Sequence, residues 1–217
     1  MSRRGRWGEA GYCFSTALAL GPDVPPILIR TARYYYHIGE DEKALEHAAQ
    51  ILEKTDYYDR IIFDWYTEKN ATLTQILSKG LPPGERATKA YLRYLLKLDA
   101  VAEVMQVWNW ALSHGGVDEP MAVEYVNFLI QKKNYEAAAR SWARYLGDRE
   151  KGYLKSNWLY NGDFEFEPSG SPFNWGIDKV DGVEVTREAS GAHTGARCLR
   201  IGFDGQKCTI GSSTVDY

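Results

Sequence analysis

One face of the segment 134–146, NYEAAARSWARYL, carries Tyr135, Ala138, Trp142 and Tyr145 at i, i+3, i+7 and i+10. That spacing is the stripe of a helix. A small residue set between large rings lets a neighbouring helix come close and then holds it in register. Val104, Trp108 and Ala111 precede Ala138, Trp142 and Tyr145 by 34 residues, and Leu92 and Leu95 precede Val126 and Leu129 by the same 34. Near the start Trp7, Ala10, Phe14 and Ala17 repeat the theme. Ala44 follows Ala10 by 34 and leads into Ala48, Ile51 and Leu52. A unit of this length recurring along a chain is a pair of helices that cannot bury its apolar face alone and must stack on its neighbours. Few features restrict the fold more.

This part of the chain, 1–147, resembles the tetratricopeptide (TPR) repeats. The resemblance implies a mainly α fold, an α-α superhelix of hairpins. The pairs expected are 27–38 with 42–54, 85–98 with 100–114, and 119–132 with 135–146, with a lone helix 7–20 before them. Pro25 and Pro26 are expected to delay the second helix to Ile27. Leu28, Ala32 and Tyr35 form its inner face. The stretch 56–68 reads as a helix with Ile61, Ile62, Trp65 and Tyr66 inward, and 71–77 as a short one stopped at Gly80. The spacing there departs from 34, so this hairpin is degenerate. Asp118 and Pro120 suit an N-cap and a first turn.

A stacked array leaves a concave side lined by the first helix of each pair. Tyr34, Tyr36, Tyr91, Tyr94, Tyr125 and Asn127 lie on those helices, as do Tyr35, His37 and Phe128. Outward-facing, they make a groove for a protein or peptide partner. Any single ring is more readily a core residue, and only an exposed cluster of Tyr and Arg distinguishes the two readings.

After Gly147 the helical period stops. Residues 148–157 read as a linker, and 158–217 as sheet, with strands at 159–166, 182–187 and 198–203 separated by Gly, Pro, Ser and Asp. NGDFEFEPSGSPFNW (161–175) followed by GAHTGARCLRIGFDG (191–205) resembles the opening half of a carbohydrate-binding, galactose-binding-like jelly roll. Cys198 stands where that family usually has Ser. The resemblance implies sugar stacking or core packing for Trp175, and a structural calcium held through Glu165. From the residues alone, Asp163, Glu165 and Glu167 alternate along one strand and would share a solvated face opposite Phe164 and Phe166. The family domain needs about eight strands. The expectation is therefore a partial sandwich, cut off at Tyr217, with a helical array that also begins inside a repeat.

A net charge of −3 supplies no cationic surplus for nucleic acid, and no run of 18 apolar residues can span a membrane. Arg3, Arg4 and Arg6 before an apolar stretch imitate a signal peptide, but Glu9 interrupts it and the repeat pattern accounts for the same residues. Of the cysteines, only Cys198 and Cys208 could pair, and free thiols are the preferred reading. His37, His47, His114 and His193 have no metal-ligand spacing. No P-loop, GxSxG or HExxH occurs. The expectation is a non-enzymatic scaffold without a cofactor, save the calcium. The alternative is a glycan-binding module on a helical spacer, with polysaccharide as its ligand. Proteins pairing these two parts are similar to bacterial cell-envelope or exopolysaccharide components. The residues leave the compartment open, and the resemblance favours the periplasm or envelope over the cytoplasm.

Overall fold

The computed structural model describes residues 3–68, 71–155, 157–176 and 179–205. The fold is mainly α, with a short two-stranded antiparallel sheet near the C-terminus. The chain divides into two compact units, Met1–Asp118 and Glu119–Tyr217.

The first unit holds α1 (Arg3–Leu20), α2 (Pro25–Ile38), α3 (Asp41–Lys54), α4 (Asp59–Glu68), the three-residue α5 (Leu73–Gln75), α6 (Glu85–Lys97) and α7 (Val101–Ser113). Helices α2 and α3 form the tightest pair, α1 packs on α2, α4 on α6, and α6 on α7. Ala44, Ala48, Ile51 and Leu52 of α3 are buried, as are Leu28 and Ala32 of α2. Small residues thus stand at the close approach that the repeat requires. Ala10 is only half-buried, and the Trp7 side chain lies outside the described residues. Gly39 ends α2 at φ +81° and donates to Tyr35 and Tyr36 carbonyls, a left-handed stop that costs glycine least.

Three expectations are corrected in this unit. Pro25 and Pro26 do not delay α2 but open it, because the first-turn N–H groups they lack have no helical partner anyway. In α4 Phe63 is buried alongside Ile62 and Tyr66, while Ile61 is 44% exposed. The short helix 71–77 is instead α5, opened by a capping box between Thr72 and Gln75, followed by a π-turn over Ile76–Gly80. The π-turn packs on α3, and its Gly80 carbonyl accepts the Tyr66 hydroxyl at 2.6 Å.

Arg86 at the start of α6 joins three elements. It binds Asp59 of α4 at 2.6 Å and donates to the Leu52 and Thr55 carbonyls at the end of α3. Those carbonyls lie at a helix end, where intrahelical donors run out. Burial pushes the Asp59 carboxyl up, and the Arg86 guanidinium opposes that.

The second unit opens with α8 (Glu119–Gln131) and α9 (Tyr135–Leu146), which pack together. Met121, Ala122, Val126 and Leu129 meet Ala138, Ala139 and Trp142 in its core. Tyr135, expected to lead the inner stripe, is 54% exposed at the first position of α9. Part of the stretch expected as a linker carries short helical turns. Two 3₁₀ turns, Gly147–Glu150 and Tyr153–Lys155, bring buried Tyr153 to donate to the Ala139 carbonyl at 2.5 Å.

Strand β1 (Val183–Glu188) pairs antiparallel with β2 (Cys198–Phe203), Val185 opposite Ile201. The third expected strand, 159–166, is absent. Asn161 and Phe164 adopt φ of +58° and +61°, which breaks an extended run. The Asn161 amide donates to the Phe166 carbonyl at 2.7 Å and its oxygen accepts the Phe166 N–H at 2.8 Å. One side chain thereby replaces a strand partner inside a tight loop. The loop is tied back by a single parallel bridge between Tyr160 and Asn174. Cys13 and Cys198 carry free thiols; Cys208 and the tail from 206 lie outside the described residues.

Candidate functional site

Helices α2, α4 and α6, the first members of successive pairs, lie side by side. The Tyr36 hydroxyl of α2 donates to the Trp65 carbonyl of α4 at 3.2 Å, and the two rings stand 6.4 Å apart at 41°. Arg33, Tyr36, His37, Trp65 and Glu68 enclose a cleft of about 160 Å³. Tyr36 and Trp65 are half-buried, while Arg33, His37 and Glu68 are exposed. From α4 to α6 the row continues through Tyr94, whose hydroxyl donates to Asp64 at 2.9 Å and meets the Thr67 hydroxyl at 3.3 Å. Arg60 lies 3.8 Å from the same Asp64 carboxylate. Aromatic faces between charges of both signs form a surface suited to an extended chain, whose apolar side chains and amides each find a partner.

The six tyrosine and asparagine positions expected to line a groove separate. Tyr36 and Tyr94 are on this row. Tyr34 is half-buried towards α1, 5.0 Å from Phe14. Tyr91 and Tyr125 are core residues, 4% and 1% exposed, because their helices turn those faces to a neighbour rather than to solvent. Asn127 is exposed on α8 of the second unit. The sequence points to Tyr36 but not to Arg33 or Glu68, and it counts Trp65 only in the apolar set of its helix. The degenerate hairpin removes the 34-residue register that would align α4 with α2.

Burial is the main cause of a shared trait of the packed tyrosines. It pushes the Tyr36 hydroxyl up to about 12, with Asp41 and Glu68 adding to it. It also raises Tyr66, Tyr91, Tyr125, Tyr153 and Tyr160. In the unfolded chain these phenols ionise near 10. A pKa raised by folding gives stability that is complete below the unfolded value and is lost as pH climbs toward the folded one. For the deeply buried Tyr66 and Tyr91 the loss approaches about 1.4 kcal/mol per pH unit each above pH ~10. The expected result is that phenolate absorbance from these residues rises together with loss of helical circular dichroism. Complete tyrosine ionisation with the helical signal intact would contradict this burial.

In the second unit, Trp175 is half-buried and meets Phe164 edge-on at 5.1 Å and 71°. The three carboxylates expected on one strand face go to three different partners. Asp163 lies 3.6 Å from Lys151, Glu167 pairs with Arg187, and Glu165 accepts the Ala196 and Arg197 backbone N–H groups at 2.7 and 3.1 Å. Arg187 of β1 also donates to the Phe164 and Glu165 carbonyls. Glu165 therefore fastens the turn before β2, and Arg187 fastens the 164–167 loop to β1. Among the described residues no three His, Cys, Asp or Glu side chains gather as metal ligands. No described helix is long and apolar enough to cross a membrane. The chain matches no protein-family model and has no significant match among curated proteins.

Proposed function

We propose that the chain is a non-enzymatic, TPR-like scaffold that holds an extended segment of a partner protein across α2, α4 and α6. The observation that carries this reading is the Arg33–Tyr36–Trp65–Glu68 cleft. It combines half-buried rings with exposed charges on the first helices of adjacent pairs. Trp and Arg in such settings account for much of the affinity at interfaces. By resemblance, the setting is a bacterial cell-envelope or exopolysaccharide system. The glycan-binding reading draws less support, since the Trp175 ring is set against Phe164 rather than presented as a free platform.

The test is selection of ligands from a displayed random-peptide library, followed by calorimetry on chain variants. Trp65→Ala and Arg33→Ala are expected each to weaken selected peptides at least tenfold, about 1.4 kcal/mol or more. Glu53→Ala, exposed on α3, is expected to leave affinity unchanged. Peptides that bind both cleft variants as tightly as the parent, or a library that yields no binder, would overturn the proposal.

A further inference from the structure

Within the first unit a second cavity, of about 250 Å³, opens between α4, α6, the π-turn and the start of α7. Its aliphatic lining comes from Leu73, Ile76, Leu95 and Leu98. The Tyr66 and Tyr91 rings, which also line it, meet at 86° with centroids 6.1 Å apart. Glu103 of α7 completes the lining.

The polar groups of this cavity are unevenly provided for. The Tyr66 hydroxyl donates to the Gly80 carbonyl at 2.6 Å, and that bond holds its ring in place. Tyr91 is 96% buried, and among the described residues no hydrogen bond engages its hydroxyl. Glu103, exposed on α7, enters no ion pair or hydrogen bond among the described residues. The Glu103 charge is close enough to Tyr91 to add to the upward push that burial gives that hydroxyl. The Tyr91 hydroxyl, a negative charge and two aromatic rings therefore line one open cavity together with aliphatic side chains. Such a lining rejects anions. A cation is favoured both by the carboxylate and by the ring quadrupoles, and an aliphatic stem matches the leucine and isoleucine side chains of the lining.

We propose that this cavity binds a primary alkylammonium group on a short aliphatic stem, carried either by a free amine or by a lysine of a partner. The ammonium donates to the Glu103 carboxylate and the Tyr91 hydroxyl oxygen, and the stem lies against Leu73, Ile76 and Leu95. The π-turn contributes indirectly. Its Gly80 carbonyl, by holding the Tyr66 hydroxyl, fixes the orientation of one ring wall, in keeping with the frequent occurrence of π-turns at functional sites.

The full chain is titrated calorimetrically with n-hexylammonium, with n-hexanol as the neutral counterpart, and with lysine capped at both backbone ends. Hexylammonium is expected to bind with a Kd of about 1 mM or tighter, and hexanol about tenfold more weakly. Glu103→Gln is expected to reduce hexylammonium affinity about tenfold and to abolish the preference over hexanol, and Tyr91→Phe to reduce it severalfold. Glu103 also suits the positive end of α7, where it sits in the first turn, so thermal unfolding of Glu103→Gln is recorded alongside. An unchanged fold with lost amine preference supports the site. Tighter binding of capped lysine assigns the ligand to a partner side chain, and tighter binding of hexylammonium assigns it to a free amine. No binding of either amine, equal binding of hexylammonium and hexanol, or unchanged affinity in a folded Glu103→Gln variant would overturn the proposal.

Discussion

Replacing Trp142 with alanine is expected to lower the unfolding free energy of the second unit by about 3–5 kcal/mol. The indole is fully buried in α9, stacks on Tyr145 at 5.4 Å, and meets Tyr160 of the following loop edge-on at 6.2 Å. Its loss leaves a hole between a helical hairpin and a loop that turns through several left-handed residues. Neither wall can collapse freely, so the cavity cost is at the high end. The Trp142 Nε1–H is buried without a hydrogen-bond partner, so the indole stabilises as apolar volume and not through that group. Trp142→Phe keeps a ring and removes the unsatisfied donor, and is expected to cost only about 1 kcal/mol. Urea unfolding followed by far-ultraviolet circular dichroism measures both. A loss under about 1 kcal/mol for Trp142→Ala would mean that this residue does not join the hairpin to the loop.

Gly80→Val is expected to destabilise the first unit by about 3 kcal/mol. A Cβ at Gly80 would lie 2.9 Å from the Tyr66 hydroxyl oxygen and 3.0 Å from a Leu45 methyl. Tyr66 is itself buried between Phe63 and Tyr91 and cannot swing aside. The substitution therefore disturbs the π-turn, its hydrogen bond to Tyr66 and the α3 contact together. Gly84→Ser makes a control four residues on. Gly84 precedes α6 in extended backbone with no atom near its Cβ direction. Serine at that N-cap position is expected to be neutral or stabilising by a few tenths of a kcal/mol. Urea midpoints of the two variants separate steric exclusion from any general effect of losing a glycine. Equal stability of Gly80→Val and the parent would remove the basis for the π-turn geometry.

Much of the helical architecture was legible because a helix stripe is a local property. Ala44, Ala48, Ala138, Val104, Trp108 and Trp142, aligned by the 34-residue recurrence, are all buried. The recurrence was silent between α4 and α6, and there the reading went astray. Apolar spacing alone does not separate exposed Ile61 from buried Ile62 there, nor does it reveal the π-turn. The groove was only partly legible. A helix in a stacked layer has one side against its own partner and another against the next pair, and both sides are ring-rich. Tyr91 and Tyr94, three residues apart on α6, read alike, yet one is core and the other reaches Asp64 across to α4. In the C-terminal part the alternation 163–167 looked like a strand. Asn161 supplied from its own side chain the hydrogen bonds that a neighbouring strand would have made.

By itself, the sequence determined that the chain forms helical pairs closing on small residues, and that β1 and β2 follow them. Spacing at 3.6 and 2 residues is enforced by backbone geometry within each segment. The tertiary structure alone decided which tyrosines are enclosed and which remain available to a partner. It also decided that Tyr91 and Glu103 share a cavity, and that 159–166 is a loop. Those outcomes depend on which surfaces meet, and burial of a given ring is a property of the neighbour that covers it.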